Sequence, residues 1–408
     1  MTIRKITIWK LVFLLFLFQM ALIYNLRESI MSSVISYFDE IIEIICLIYI
    51  AYSVVSKREL GKIEKTICHI LVILDAIGIV SSIANTKIEL FPKIVDALNC
   101  NKFIVIMIAT IFYAKKSKTV CELLPSLNNV IKFISYSLTL LSATNFIFNL
   151  FPTHGYRLFM PVQKLFFEHP NDLAYVGLIC AIVLLYNSRY YKNDLCLISL
   201  TFLVITTMRI RHIAMMIVIW VIYFYFIKMK MKSKILIVLL IGIVALLIGY
   251  DQISYYYGNT SETRTIVTST SFKLANEYFP IGLGFASYGT NMARQYYSPV
   301  YIDLGFTRIW GLNYENDTFL TDQFWPAVIA QFGWIGIILF VLLLVYLYKL
   351  IAPLQKQNVY MYVTALALFI YEIFTSLGET AYYNPLAVVV FFIIGLCVAQ
   401  GRDELKVG

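Results

Sequence analysis

The sequence is a succession of apolar runs close to 20 residues long, the length a helix needs to cross the hydrocarbon core of a bilayer, and nothing else in the chain constrains its fold so strongly. About twelve runs can be placed on that length criterion, near 11–26, 38–56, 66–84, 97–114, 130–151, 171–187, 195–208, 212–227, 235–250, 324–348, 359–377 and 384–400. In hydrocarbon every backbone N–H and C=O must be paired within the structure, so such runs fold as helices packed side by side. The expected fold is all-α: a polytopic integral membrane helical bundle of about twelve transmembrane helices, forming a single domain over residues 1–408.

Hydrophobic residues make up 60% of the chain and charged residues 14%, against about 25% charged in soluble domains, which excludes an ordinary soluble enzyme. The first run follows Arg4, Lys5 and Lys10 as a secretory signal would, but no small-residue cleavage site follows it, so it reads as the first span. The net charge of +9 does not point to nucleic acid, because the lysines and arginines cluster in short connections between apolar runs. With an even number of spans and a cytoplasmic N-terminus, those clusters fall on the inner side. The expectation is a multi-pass membrane protein with both termini cytoplasmic. The seven cysteines are scattered without a CxxC pair, so neither a disulfide framework nor a zinc site is indicated.

One long polar interval, residues 251–322, interrupts the pattern and reads as an extracytoplasmic loop. It carries Asp251, Glu262, Arg264, Lys273, Glu277, Arg294, Asp303, Arg308, Glu315, Asp317 and Asp322, with many aromatics, among them Tyr255, Tyr256, Tyr257, Tyr288, Tyr296, Tyr297, Tyr301 and Trp310. Loops of this length usually serve a function. The charges suit an anion and a proton transfer, and the aromatics suit either sugar faces or the membrane interface. Pro152 to Asn171 forms a second outer connection, with His154, Arg157, Lys164, Glu168 and His169. Arg209, Arg211 and His212 mark a tight outward turn, where two roles are open: a functional site or snorkelling to the interface. Asp39, Glu40 and Glu43 are expected at the outer interface, and Asp75 is expected to hydrogen-bond between helices.

Four of these outward stretches together resemble the O-antigen ligase / polysaccharide polymerase (Wzy-type) superfamily. Glu168-His169-Pro170-Asn171-Asp172-Leu173-Ala174 is similar to that family's Pro-Asn-x-Leu-Ala entry to a span. Thr206-Thr207-Met208-Arg209-Ile210-Arg211 stands where the family has an arginine at a span end. Pro280-Ile281-Gly282-Leu283-Gly284 leads to Tyr288, close to a Pro-x-Gly-x-Gly-x-x-x-Tyr/Phe segment, and is preceded by Thr263-Arg264. Glu315-Asn316-Asp317-Thr318-Phe319-Leu320, followed by Phe332-Gly333-Trp334-Ile335-Gly336, resembles His-Asn-x-x-Leu and a Gly-x-x-Gly span opening, with Glu315 in place of the usual histidine.

The resemblance implies a GT-C-like glycosyltransferase acting on the outer face of the cytoplasmic membrane. It would move a glycan from undecaprenyl diphosphate onto a hydroxyl of a second lipid-linked repeat unit, building a capsule, O-antigen or similar polysaccharide with a chain-length-regulating co-polymerase as partner. Arg209, Arg211 and Arg264 would grip the leaving diphosphate, since guanidinium binds phosphate in a two-point fork and stays charged. Glu315 would serve as the base, with Asp317 and His169 as the next candidates. His169, Asn171, Arg294, Asn316, Asp317, Gly282 and Gly284 would line the substrate, although tight turns compete as the role of the two glycines. No cofactor is implied, and arginines can take a metal's place at the diphosphate. The same residues serve a ligase that hands finished polymer to another acceptor. A lipid-oligosaccharide flippase is the alternative from another class, and would place ionisable residues nearer the midplane than these are.

Overall fold

The computed structural model describes residues 2–85, 87–157, 159–230 and 262–407. The span expected at 235–250, together with Asp251 and Tyr255 to Tyr257, lies outside the described residues. The described residues are mostly helical (74%), with almost no sheet. Among the described residues seven helices are long and apolar enough to cross a membrane, or eight if one pair bent by 63° counts as a single span.

That bent pair is α1 (Thr2–Leu17) and α2 (Gln19–Asn25). There follow α3 (Phe38–Val55), α4 (Lys62–Ala84), α5 (Leu90–Ala114), α6 (Asn128–Phe148), α7 (Pro170–Asn187), α8 (Asp194–Thr206) and α9 (Ile210–Ile222), which continues as a π-helical turn to Lys228. The polar interval contributes α10 (Thr263–Glu277), and the chain ends with α11 (Phe324–Ile351), α12 (Val359–Ser376) and α13 (Leu386–Val407). The runs expected at 195–208 and 384–400 appear as the shorter apolar helices α8 and α13, and α3 carries three acids.

The bundle is built round α7, which is buried along almost its whole length against α6, α8, α9 and α12. Its start is fixed locally: Pro170 occupies the first turn, where a missing N–H costs nothing, and the Asp172 carboxylate accepts from the His169 backbone N–H at 3.3 Å. The second layer packs α5 against α3, α4 and α13. Asn101 on α5 donates to Asp75 on α4 at 2.9 Å, the helix–helix hydrogen bond expected for that acid.

The expectation for Asp39, Glu40 and Glu43 needs correction. Asp39 and Glu43 are fully buried inside the bundle, and Asp39 forms an ion pair with the equally buried Lys102 of α5. Glu40 stands 3.6 Å from the same amine. Lys102 lies in an apolar run, which hides its partners from a hydropathy reading.

The polar interval is tied into this frame through a break in α11. Gly333 adopts φ 62°, ψ −159°, which interrupts the helix and frees its neighbours' backbone groups. The turn segment after Pro280 fills the gap: Leu283 N–H donates to Ala330 C=O at 2.9 Å, Gly284 N–H to Gln331 C=O at 2.8 Å, and Ile335 N–H donates to Pro280 C=O at 3.3 Å. A Cβ on Gly282 would lie 2.6 Å from Ala330 O, and one on Gly284 2.4 Å from Ser82 N, so these two glycines serve backbone approach inside the protein. Ser82 accepts from Phe285 N–H at 2.8 Å, and the buried Asp96 accepts from Ala286 N–H at 2.6 Å and from Gln331 at 2.8 Å.

Beyond that seam the interval has its own core. Tyr288, Tyr297 and Tyr301 are buried and spend their hydroxyls on backbone, with Tyr288 donating to Val267 C=O, Tyr297 donating to Leu312 C=O, and Tyr301 accepting from Gly289 N–H. These rings build structure and are closed to sugars, whereas Trp310 and Tyr314 are exposed.

Sidedness is testable by thiol labelling in whole cells. Ser271 is buried, so a cysteine there reports nothing, but Ser269 is exposed on the same helix. Ser269→Cys is expected to react with a membrane-impermeant maleimide, and Ser56→Cys, exposed in the first basic connection, only after the membrane is opened.

Candidate functional site

Residues of α2, α7, α9, α12, α13 and the polar interval meet at a cavity of about 270 Å³. His169, Asn171 and Asp172 enter it from the start of α7, His212 from α9, Asp322 from the turn before α11, and Glu379 and Asn384 from the connection between α12 and α13. Of the residues singled out from sequence, His169, Asn171, Arg211 and Arg264 converge on this one place.

Two ion pairs organise it. Arg211 Nη2 donates to Glu379 Oε1 at 2.8 Å, and Asn171 Nδ2 donates to the same oxygen at 2.7 Å. Gly378 gives the guanidinium room, since a Cβ there would stand 2.7 Å from Nη1. Arg264, on the first turn of α10, engages Asp322 through both Nε and Nη2, and its guanidinium lies 5.2 Å from the centre of the Phe319 ring. Arg209 begins α9, and its positive charge bears on Glu379 and His154.

The hairpin that precedes α7 docks beside this turn. Its two-residue strands, β1 (Tyr156–Arg157) and β2 (Met160–Pro161), pair antiparallel. Gln163 N–H donates to Thr206 C=O at 3.0 Å, Arg157 donates to Met208 C=O at 3.3 Å, and the His154 and His169 rings stand 5.7 Å apart.

The electrostatics follow from partial burial of paired charges. Burial holds the Glu379 carboxyl above its usual range; Arg211 opposes that, Asp322 adds to it, and Arg209 opposes it. Burial also raises Asp322, against the pull of Arg264. His154 is pushed below its ordinary value by burial, then by Arg209 and His169. The guanidinium groups of Arg211 and Arg264 thus stand behind two carboxylates of the cavity wall, Glu379 and Asp322, which occupy positions an anionic ligand's oxygens could take.

The remaining candidates lie elsewhere. Glu315 is exposed and does not line the cavity. Arg294 pairs with Asp317 at 3.2 Å, and Asn316 accepts from Thr318, both on the same loop. Gly282 and Gly284 belong to the seam with α11. Sequence reasoning left Glu379, Asp322, Asp172 and His212 out of the site. Asp172 and His212 were adjacent to chosen residues, but Glu379 carries only one signal, an acid just past the end of an apolar run.

Comparison with known proteins adds no relative: no protein-family model and no curated protein matches the chain. The resemblance described above rests on its four motifs.

The pairing of Arg264 with Asp322 predicts a coupled effect on stability. Arg264→Ala leaves a partly buried carboxylate without its cation and is expected to cost about 1–3 kcal/mol in thermal unfolding of the detergent-purified protein. The double variant Arg264→Ala/Asp322→Ala is expected to cost less than the two single variants summed.

Proposed function

We propose that the protein is a membrane glycosyltransferase that polymerises lipid-diphosphate-linked oligosaccharide repeat units outside the cytoplasm. The observation that carries this reading is the gathering of Arg211 and Arg264, each held by a carboxylate, with His169 and Asn171 round one polar cavity at the ends of apolar helices. Soluble sugar nucleotides need no such setting, whereas a diphosphate carried on a lipid must be met at the edge of the hydrocarbon by permanent cations.

In this reading the donor's diphosphate displaces Glu379 from Arg211 and Asp322 from Arg264, exchanging one anion for another at each guanidinium. The bond from the sugar C1 to the diphosphate oxygen breaks, and the lipid diphosphate leaves with the electron pair. The acceptor oxygen bonds to C1, and its proton passes to a base. Glu379, released from Arg211 and raised by burial, suits that role better than Glu315, and His169 stands in the same cavity. Transfer to a different acceptor, as in a ligase, uses the same groups.

One observation favours a reading from another class, a lipid-oligosaccharide transporter. Lys102 is buried among Asp39, Glu40 and Glu43 well inside the bundle, and both Glu43 carboxylate oxygens lack a hydrogen-bond partner. Ionisable groups so placed are common in transporters.

Deletion of the gene separates these readings. A polymerase mutant is expected to display surface material carrying single repeat units; a ligase mutant accumulates long lipid-linked polymer, and a transporter mutant keeps single units on the inner leaflet. In the complemented strain Glu379→Gln is expected to reduce polymerisation about a hundredfold to ten-thousandfold, the usual worth of a general base, while Glu315→Gln retains long chains. Arg211→Lys is expected to lose most polymer, because lysine keeps the charge but not the fork. Because the base must be unprotonated and its carboxyl is raised, the rate should fall with decreasing pH at a higher pH than an ordinary glutamate would give.

A further inference from the structure

A second cavity, of about 250 Å³, lies between α1, α3, α5 and α13, and no step proposed above uses it. α3 packs on α5 and α1 on α13, and the space between the two pairs is lined almost wholly by carbon: Phe13, Ile45, Ala109, Val389 and Phe392 are among its walls. Ile45 is half exposed, so the cavity opens sideways from the bundle. The Phe16 and Phe38 rings, 4.9 Å apart, sit at one end, and Trp9, Tyr49 and Tyr113 cluster at the other, with ring centres 5.4 Å and 5.8 Å apart.

The aromatic end carries the charge. Arg58 donates to the Tyr49 hydroxyl at 2.8 Å, with its guanidinium 5.7 Å from the Tyr49 ring and 5.6 Å from that of Tyr52. Lys115 donates to the backbone of the adjacent Glu59 at 3.2 Å, bringing a second cation to the same mouth. This end points away from the polar cavity described above. The chain passes from Trp9 in the groove to Met20 in the polar cavity, and from Leu386 in the polar cavity to Phe392 in the groove. A lipid whose diphosphate sat among Arg209, Arg211 and Arg264 would therefore not present its headgroup to Arg58.

We infer that this groove is a binding site for an anionic glycerophospholipid of the opposite leaflet, one acyl chain lying between α1 and α3 and the phosphate held by Arg58 and Lys115. An acyl chain matches an apolar slot that opens toward hydrocarbon, and a basic pocket ringed by aromatics between membrane helices is a setting that selects anionic headgroups. The positive-inside pattern of this face, with Lys5, Lys10, Lys57, Arg58 and Lys115, assigns the lipid to the cytoplasmic leaflet.

Trp9 is a built-in probe. The purified full-length protein is placed in phosphatidylcholine nanodiscs containing graded amounts of either brominated phosphatidylglycerol or brominated phosphatidylcholine, and the Trp9 signal is taken as the difference between wild type and Trp9→Phe. Quenching by the brominated phosphatidylglycerol is expected at about fivefold lower mole fraction than by brominated phosphatidylcholine. Arg58→Gln is expected to abolish the preference and Arg58→Lys to keep most of it. Native mass spectrometry gives an independent reading, with phosphatidylglycerol retained on wild type and Arg58→Lys but stripped from Arg58→Gln. Equal quenching by the two lipids, or a preference unchanged in Arg58→Gln, would overturn the assignment.

Discussion

The need to pair every backbone polar group away from water is the constraint on which this architecture depends. It forces the apolar runs into helices, and it decides what can happen where a helix stops. At Gly333 the break in α11 exposes carbonyls at 330 and 331, and only another stretch of backbone, with small residues at 282 and 284, can approach closely enough to satisfy them. That seam docks the polar interval on the bundle. Asp322 and Gln323 precede α11 directly, and Gln323 accepts from Thr268 on α10 at 2.9 Å, so the same docking carries Arg264 to the cavity.

Charge is handled in two different ways within the bundle. Round the polar cavity, each cation holds an acid that remains partly exposed, with side-chain exposures near 20–26%, so a stronger anion entering from outside can exchange for it. The pair of Lys102 with Asp39 is fully enclosed, and removing one partner would strand the other in a medium of low polarity. The first arrangement suits a ligand site. The second is a fixture of the α3–α5 packing, unless the buried Glu43 exchanges a proton.

Much of the frame was legible because hydropathy at bilayer length leaves few choices. The apolar runs among the described residues are helical, although the first, expected over 11–26, is the bent pair Thr2–Leu17 and Gln19–Asn25, and the Pro170-Asn171 motif does begin the central helix. The site was only partly legible. Arg209 and Arg211 stood out as charges at a span end, and Arg264 as a charge in a long interval, but the carboxylate partners of Arg211 and Arg264 are 168 and 58 residues away along the chain, and no local pattern marks such a pairing. Glu315 drew attention by its motif, yet the motif's position in sequence does not bring it to the arginines. The tyrosines misled for a related reason: an aromatic-rich loop reads alike whether its rings face sugars or, as for Tyr288 and Tyr301, each other, at 5.5 Å.

The central claim is that the polar cavity whose wall carboxylates pair with Arg211 and Arg264 transfers glycans from a lipid diphosphate. Its most direct test is reconstitution: the purified protein in proteoliposomes, supplied with a single lipid-diphosphate-linked repeat unit and nothing else, with glycan length and free lipid diphosphate followed together. Chain growth with one lipid diphosphate released per linkage formed is the predicted result. Units that cross the bilayer intact, with no growth and no released lipid diphosphate, would contradict it.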